Sequence, residues 1–214
     1  KIVKKGNSMY YYINGTLVAT LPFKEFIGNR LGFVVYNEQK IAIDYFRVKQ
    51  LSGTSNITKS TTTSQSKTIL FEGFNSNKNE WAERDSDDVR LDVKDGDYII
   101  NHKRSSGGWS STIDKKFDTS RDYRISANIK KISGIQTNGF GLITGRSDSD
   151  NQNQFFISAR GSFIVSKHVN GKRTYLKNWT KSSHIKTGNG ASNILTIKKK
   201  GSKVEYLINS KVVY

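Results

Sequence analysis

The sequence predicts an all-β protein built as an antiparallel β-sandwich. Three observations predict it. Apolar and polar residues alternate over short runs, the ~2-residue period of half-buried strands. Turn dipeptides such as Asn14-Gly15, Arg160-Gly161 and Asn170-Gly171 punctuate those runs. No segment of helix length carries an apolar period of ~3.6 residues. Many short strands at regular spacing suit a sandwich or jelly roll.

In chain order, Met9–Ile13 and Thr16–Leu21 flank Asn14-Gly15 as a tight hairpin. Leu31–Tyr36 and Ile41–Val48 are the next expected strands. Strict alternation along the latter places Ile41, Ile43, Tyr45 and Arg47 on one face. It places Ala42, Asp44, Phe46 and Val48 on the other. Residues 51–68 are Ser/Thr-rich, nearly free of apolar side chains, and read as a linker. Beyond them come Ile69–Phe74, Tyr98–His102, Trp109–Ile113, Tyr123–Ile132, Gly139–Thr144 and Gln154–Ser158. Ser162–Val169 and Lys172–Lys177 follow, joined through Asn170-Gly171, and Ile194–Lys199 and Val204–Ile208 are the last. Lys on many of these strands protects sheet edges from unwanted pairing.

The chain ends as it begins. Eight of residues 1–19 recur identically 195 positions later, with no gap. Among them are Ile2/Ile197, Gly6/Gly201, Tyr11/Tyr206 and Asn14/Asn209. A fixed offset argues for an internal repeat whose copies have diverged. Residues 1–50 are then the closing strands of one repeat, and residues 69–214 are most of a second, lacking its last strands. Three arrangements follow from this. Residues 1–50 complete the second unit, or they pack on a neighbouring chain by strand exchange, or the sequence is a window of a longer chain that leaves two incomplete domains. In the first case residues 1–19 and 196–214 compete for one slot.

Composition narrows the function classes. The 214 residues include no Cys, which excludes disulfides, thiolate metal sites and cysteine nucleophiles. No apolar run approaches the ~18–20 residues of a membrane span. Lys1–Lys5 already belongs to the strand pattern, so no leader peptide is expected there. Aromatics are 11% of the chain, enough to fill a core. The net charge is +17, unevenly spread. Residues 70–100 carry −5, residues 101–214 carry +15 and residues 1–50 carry +5. A basic surface attracts nucleic acid, anionic glycan or anionic lipid, but no nucleic-acid motif accompanies it. An acidic-to-basic contact between repeats suits the same pattern.

Several segments together carry a family resemblance. They are Leu70-Phe71-Glu72-Gly73-Phe74, Asn79-Glu80-Trp81, Gly96-Asp97-Tyr98, Gly139-Phe140-Gly141-Leu142-Ile143, Phe155-Phe156-Ile157-Ser158 and Asn178-Trp179. Gly28–Phe33 and Ala42–Val48 supply the matching ending. The chain resembles the concanavalin A-like lectin/glucanase superfamily, most nearly LamG-like modules related to the 3-keto-disaccharide hydrolase domain. That resemblance implies two curved antiparallel sheets with a concave face, a glycan or surface polymer as partner, and a secreted or cell-surface bacterial protein. An intracellular multidomain setting is the other option within such families.

Candidate chemistry is sparse. A glycosidase needs two carboxylates about 5–10 Å apart across a cleft. Glutamates are few, and the E-x-D-x-x-E strand pattern of the glucanase members is absent. No catalytic residue is therefore assigned. Asp148 and Asp150 alternate with other oxygen ligands as a Ca²⁺ loop would, but without the Gly and terminal Glu of an EF-hand. Polar turn is the stronger reading of that segment. His102, His168 and His184 lack metal-ligand or triad spacing. Aromatic rings stack on sugar faces, so Trp81, Trp109 and Trp179 are the candidate ligand-binding residues, with His102 and Arg104 beside Trp109. For each Trp the competing reading is a core plug. Three functions are thus in play: a glycan-binding module, a structural repeat that self-associates, and, least favoured, a sugar-active hydrolase.

Overall fold

The computed structural model describes residues 2–5, 8–13, 16–22, 28–51 and 66–214, the first three segments by backbone alone. The Asn14-Gly15 turn and most of the expected linker, residues 52–65, lie outside the described residues. All regular structure described is β, and among the described residues no helix is long and apolar enough to cross a membrane.

The strands are, in order, β1 (Ile2–Lys5), β2 (Ser8–Ile13), β3 (Thr16–Pro22), β4 (Arg30–Tyr36), β5 (Gln39–Gln50) and β6 (Lys67–Glu72). Next come β7 (Arg84–Asp85), β8 (Val89–Lys94), β9 (Asp97–His102), β10 (Gly108–Asp114), β11 (Tyr123–Gly134) and β12 (Phe140–Arg146). The last are β13 (Gln152–Ile157), β14 (Ser162–Val169), β15 (Lys172–Lys181), β16 (Ser192–Lys200), β17 (Lys203–Ile208) and β18 (Lys211–Val212). Strand β8 was not expected from the sequence. Its Val89, Leu91 and Val93 alternate with Arg90, Asp92 and Lys94, the period-two pattern of a half-buried strand, so this strand was legible in the sequence and was overlooked.

Two antiparallel sheets pack face to face as a sandwich. One has six strands in the order β10-β4-β12-β13-β14-β15. The other has nine, with β18-β17-β16-β11-β5-β9-β8-β7 along its main path and β6 paired to β5. Strands β4 and β5 thus stand inside the two sheets, between strands that come from beyond residue 66. Residues 28–51 fold into one sandwich with residues 66–214.

Residues that match at the 195-position offset take corresponding places in two strand pairs. On β16 and β17, Ile197 faces Tyr206 and Lys200 faces Lys203. On β1 and β2, Ile2 faces Tyr11 and Lys5 faces Ser8, each 195 positions earlier. The later copy holds the place beside β11, where Lys199 faces Tyr123. The earlier copy, β1-β2-β3, forms a three-stranded sheet of its own.

A cluster of aromatics ties residues 28–51 to the rest of the sandwich. Trp81, 2% exposed, packs at centroid distances of 5.4 Å on Phe33, 5.9 Å on Phe46, 5.6 Å on Phe74 and 5.2 Å on Tyr98. Each such pair adds about 0.5–1.5 kcal/mol beyond area burial.

Strict alternation on β5 does not hold. Asn128 on β11 faces Tyr45, but the next residue, Ile129, faces Ile43. Asp44 is the extra residue of a bulge, which returns the following residues to opposite faces. Ile41, Ile43, Phe46 and Val48 therefore all reach the core, while Asp44, Tyr45 and Arg47 line a surface groove.

Candidate functional site

The six-stranded sheet buries Phe33, Val35, Leu142, Phe155, Phe163 and Val165 against the nine-stranded one. Period-two alternation sends their neighbours to the other face. There Val34, Ile143, Phe156 and Ile164 form a second, smaller apolar cluster with Tyr36 packed against it. Pair registers place Ile143 opposite Gln154, then Gln154 opposite Ser166, and Ser166 opposite Tyr175. His168 and Arg173 face one another by the same rule.

A cavity of about 210 Å³ opens on this outer face. Its aromatic walls are Tyr36, Phe156 and Trp179. Gln154, Ser166, Asn138, Thr137 and Arg173 supply the polar lining, and no carboxylate lines it. The polar groups are held in place. Gln154 Nε2 donates to the Tyr36 hydroxyl at 3.4 Å, and Ser166 Oγ donates to Gln154 Oε1 at 3.2 Å. Arg173 Nε donates to His168 Nε2 at 2.6 Å, which requires that imidazole nitrogen to be unprotonated. Burial, then the Arg173 charge, pull the His168 pKa below its ordinary value and favour that neutral form.

Two glycines make room for the rings. A Cβ at Gly108 would lie 2.7 Å from the Tyr36 ring, and one at Gly139 would lie 3.3 Å from the Trp179 indole. Trp179 itself is 45% exposed on an edge strand, so a ring face is open to a ligand.

The other sequence candidates lie elsewhere. Trp81 is a core residue, a correction to its candidacy: an indole enclosed by four aromatic rings has no face for a sugar. The same holds for His102, 1% exposed, whose Nδ1 bonds the Asn37 carbonyl oxygen at 2.8 Å and steadies the β4–β5 turn. Trp109 is partly buried against the core, with the Arg84 guanidinium 5.4 Å from its ring centre, beside a groove of about 540 Å³. Arg104 is exposed and lies 3.8 Å from Asp88. The three tryptophans and their neighbours therefore do not form one site.

Asp148 is the organiser of a turn. Its carboxylate accepts from Ser147 Oγ, the Asp150 amide and Asn151 Nδ2. Those donors, Asn151 foremost, hold its pKa below the ordinary value. With its oxygens so engaged, and with no His/Asp/Glu cluster suited to a metal among the described residues, the Ca²⁺ reading of Asp148 and Asp150 has no geometric support.

A second groove, about 710 Å³, lies on the nine-stranded sheet. Phe71, 46% exposed, carries the Arg47 guanidinium 4.7 Å from its ring centre. Asp44 accepts from Asn128 Nδ2 at 3.1 Å, and Ser192 Oγ donates to Asn128 Oδ1 at 2.6 Å. Asp97 is raised above the usual carboxylate pKa by burial, then by the nearby charge of Asp44.

The residues that sequence reasoning missed are Tyr36, Phe156, Gln154 and Arg173. Alternation within Gln154-Phe155-Phe156 could have flagged Phe156 as outward-facing. Nothing in the sequence brings Tyr36 to Trp179, because their strands meet only through β12, β13 and β14. No known protein family, curated protein or solved structure matches the chain.

Proposed function

We propose that this chain is a non-catalytic β-sandwich module of concanavalin A-like type that binds glycan on the outer face of its six-stranded sheet. The supporting observation is the cavity between Tyr36, Phe156 and Trp179, with amide and hydroxyl groups fixed along its lining. Flat rings suit the apolar faces of sugars, and Gln154, Ser166 and Asn138 suit their hydroxyls. The module belongs on this reading to a secreted or surface-exposed repeat protein. A glycan array tests it. Binding that disappears in Trp179→Ala, with the fold intact by circular dichroism, is the expected outcome. Binding unchanged in that variant would move the site elsewhere.

A second reading is a repeat that assembles head to tail by strand exchange. The observation favouring it is the shared register of β1–β2 and β16–β17, two hairpins built for the same place beside β11. Light scattering on the intact chain tests it: concentration-dependent dimers or longer assemblies support exchange, and a monomer at all concentrations counts against it. The hydrolase reading ranks below both. The carboxylates Asp44 and Asp97 in the second groove are its best footing. Sugar release from a polysaccharide panel, lost in Asp97→Asn, would replace the non-catalytic assignment.

A further inference from the structure

The sheet that carries the cavity is nearly devoid of acids. Strands β4, β12, β13, β14 and β15 contain no Asp or Glu, and Asp114 at the end of β10 is the sheet's one carboxylate. Cations are abundant on the same strands. Lys172, Arg173, Lys177 and Lys181 all stand on β15, and register places Arg173 and Lys181 on the cavity's face, with Lys172 and Lys177, opposite Val169 and Val165, on the other. That strand is exposed on nearly all its length, including Tyr175 at 51% and Leu176 at 41%. By contrast the nine-stranded sheet mixes signs, with Asp44, Glu72, Asp92, Asp97 and Glu205 among its Lys and Arg residues.

Farther across the same face two guanidinium groups are crowded together. Arg146 faces Arg30 across the β12–β4 pair. Arg146 donates from Nη1 to the Ser110 hydroxyl, while its Nε has no hydrogen-bond partner. Burial, then the Arg30 charge, press its pKa below the ordinary arginine value, against the opposing charge of Asp148. An anion on this face relieves that crowding, and a guanidinium pairs carboxylates and sulfates through parallel N–H bonds.

We infer that the polysaccharide this face accepts is polyanionic, its acid groups read by Arg173 and Lys181 while its ring faces lie on Trp179 and Phe156. The inference rests on the glycan-binding reading above and names its ligand class. A single-stranded nucleic acid would be drawn by the same charge, but the fixed amide and hydroxyl lining favours a hydroxyl-rich chain.

The test is calorimetric titration of the full chain with four polymers of matched length. They are a polyuronate, a sulfated galactan, a neutral glucan and a single-stranded oligothymidylate. The polyuronate or the sulfated galactan is expected to bind at least tenfold more tightly than the glucan, and to weaken severalfold when salt rises from about 50 to 300 mM. The stronger of the two identifies the acid group. Arg173→Gln is expected to lower that affinity about tenfold, the size of one charge-assisted contact. Lys94→Gln, on the other sheet, is expected to change it less than twofold. Equal losses in both variants would reduce the effect to bulk charge and overturn the inference. Tight, salt-independent binding of the glucan would overturn it too, yet leave the glycan-binding reading standing. Binding of the oligothymidylate alone, or of no polymer, would remove both.

Discussion

Lys131 is the residue whose chemistry is most exposed to test. It is 1% exposed, donates to Gln39 Oε1 at 2.5 Å and the Ile135 carbonyl at 2.9 Å, and lies 5.6 Å from the centre of the Phe140 ring. Burial lowers its pKa from 10.5 to about 8. From about pH 8 to 10.5 the unfolded chain therefore holds a proton that the folded chain has lost. Stability rises with pH across that window. Denaturant unfolding should show this rise in the native chain and its loss in Lys131→Met. Tyr98 acts with the opposite sign. Burial lifts its hydroxyl to about 12, while it bonds the Ala82 carbonyl and Ser111 Oγ. Above pH 10 the unfolded tyrosine ionises first, so stability falls as pH rises further, and Tyr98→Phe should remove that part of the fall. Trp81 and Trp179 separate packing from binding. Trp81→Ala empties the centre of the aromatic cluster and should cost about 3–5 kcal/mol in urea unfolding. Trp179→Ala should leave stability within about 0.5 kcal/mol, since its ring already meets solvent.

Among the elements, β4 and β5 carry the most consequence. Between them they supply Leu31, Phe33, Val35, Ile41, Ile43, Phe46 and Val48 to the core. A chain limited to residues 66–214 loses a strand from inside each sheet and leaves facing strands without partners. Such a fragment should not fold cooperatively, and a peptide spanning residues 28–51 should restore its near-ultraviolet dichroism. A fragment that folds alone would assign these strands a lesser role. Turn chemistry was the best-read feature at this scale. Asn170 and Gly171 take φ values of 50° and 74°, the left-handed pair a tight hairpin requires. Two elements differ from the sequence-based expectation. Bulged β5 breaks the alternation that assigns its faces, whereas β8 alternates strictly within an acidic stretch and was overlooked there.

For the whole molecule, the uneven charge has a spatial meaning. The acidic stretch 70–100 holds β7 and β8, at one end of the nine-stranded sheet, together with β9. Five of the six strands of the six-stranded sheet are acid-free, as are β11, β16 and β18 of the nine-stranded sheet, away from β7 and β8. If copies associate through these oppositely charged regions, raising salt should dissociate them in light scattering. Assemblies indifferent to salt would leave backbone pairing by the duplicated hairpin as their basis.

The sequence by itself determined the β class, most strand positions, the tight turn at Asn170-Gly171 and the identities that recur 195 positions apart. Each is a local property, set by side-chain period, by φ preference or by identity at a fixed offset. Only the tertiary structure decided that β4 and β5 enter the two sheets, and which hairpin copy lies beside β11. It also removed Trp81 and His102 from the candidate site and brought Tyr36, Phe156 and Arg173 to Trp179. Those outcomes depend on strand order and register between segments far apart in the sequence. A pattern of period two says which residues share a face of one strand, and not which strand comes to lie beside it.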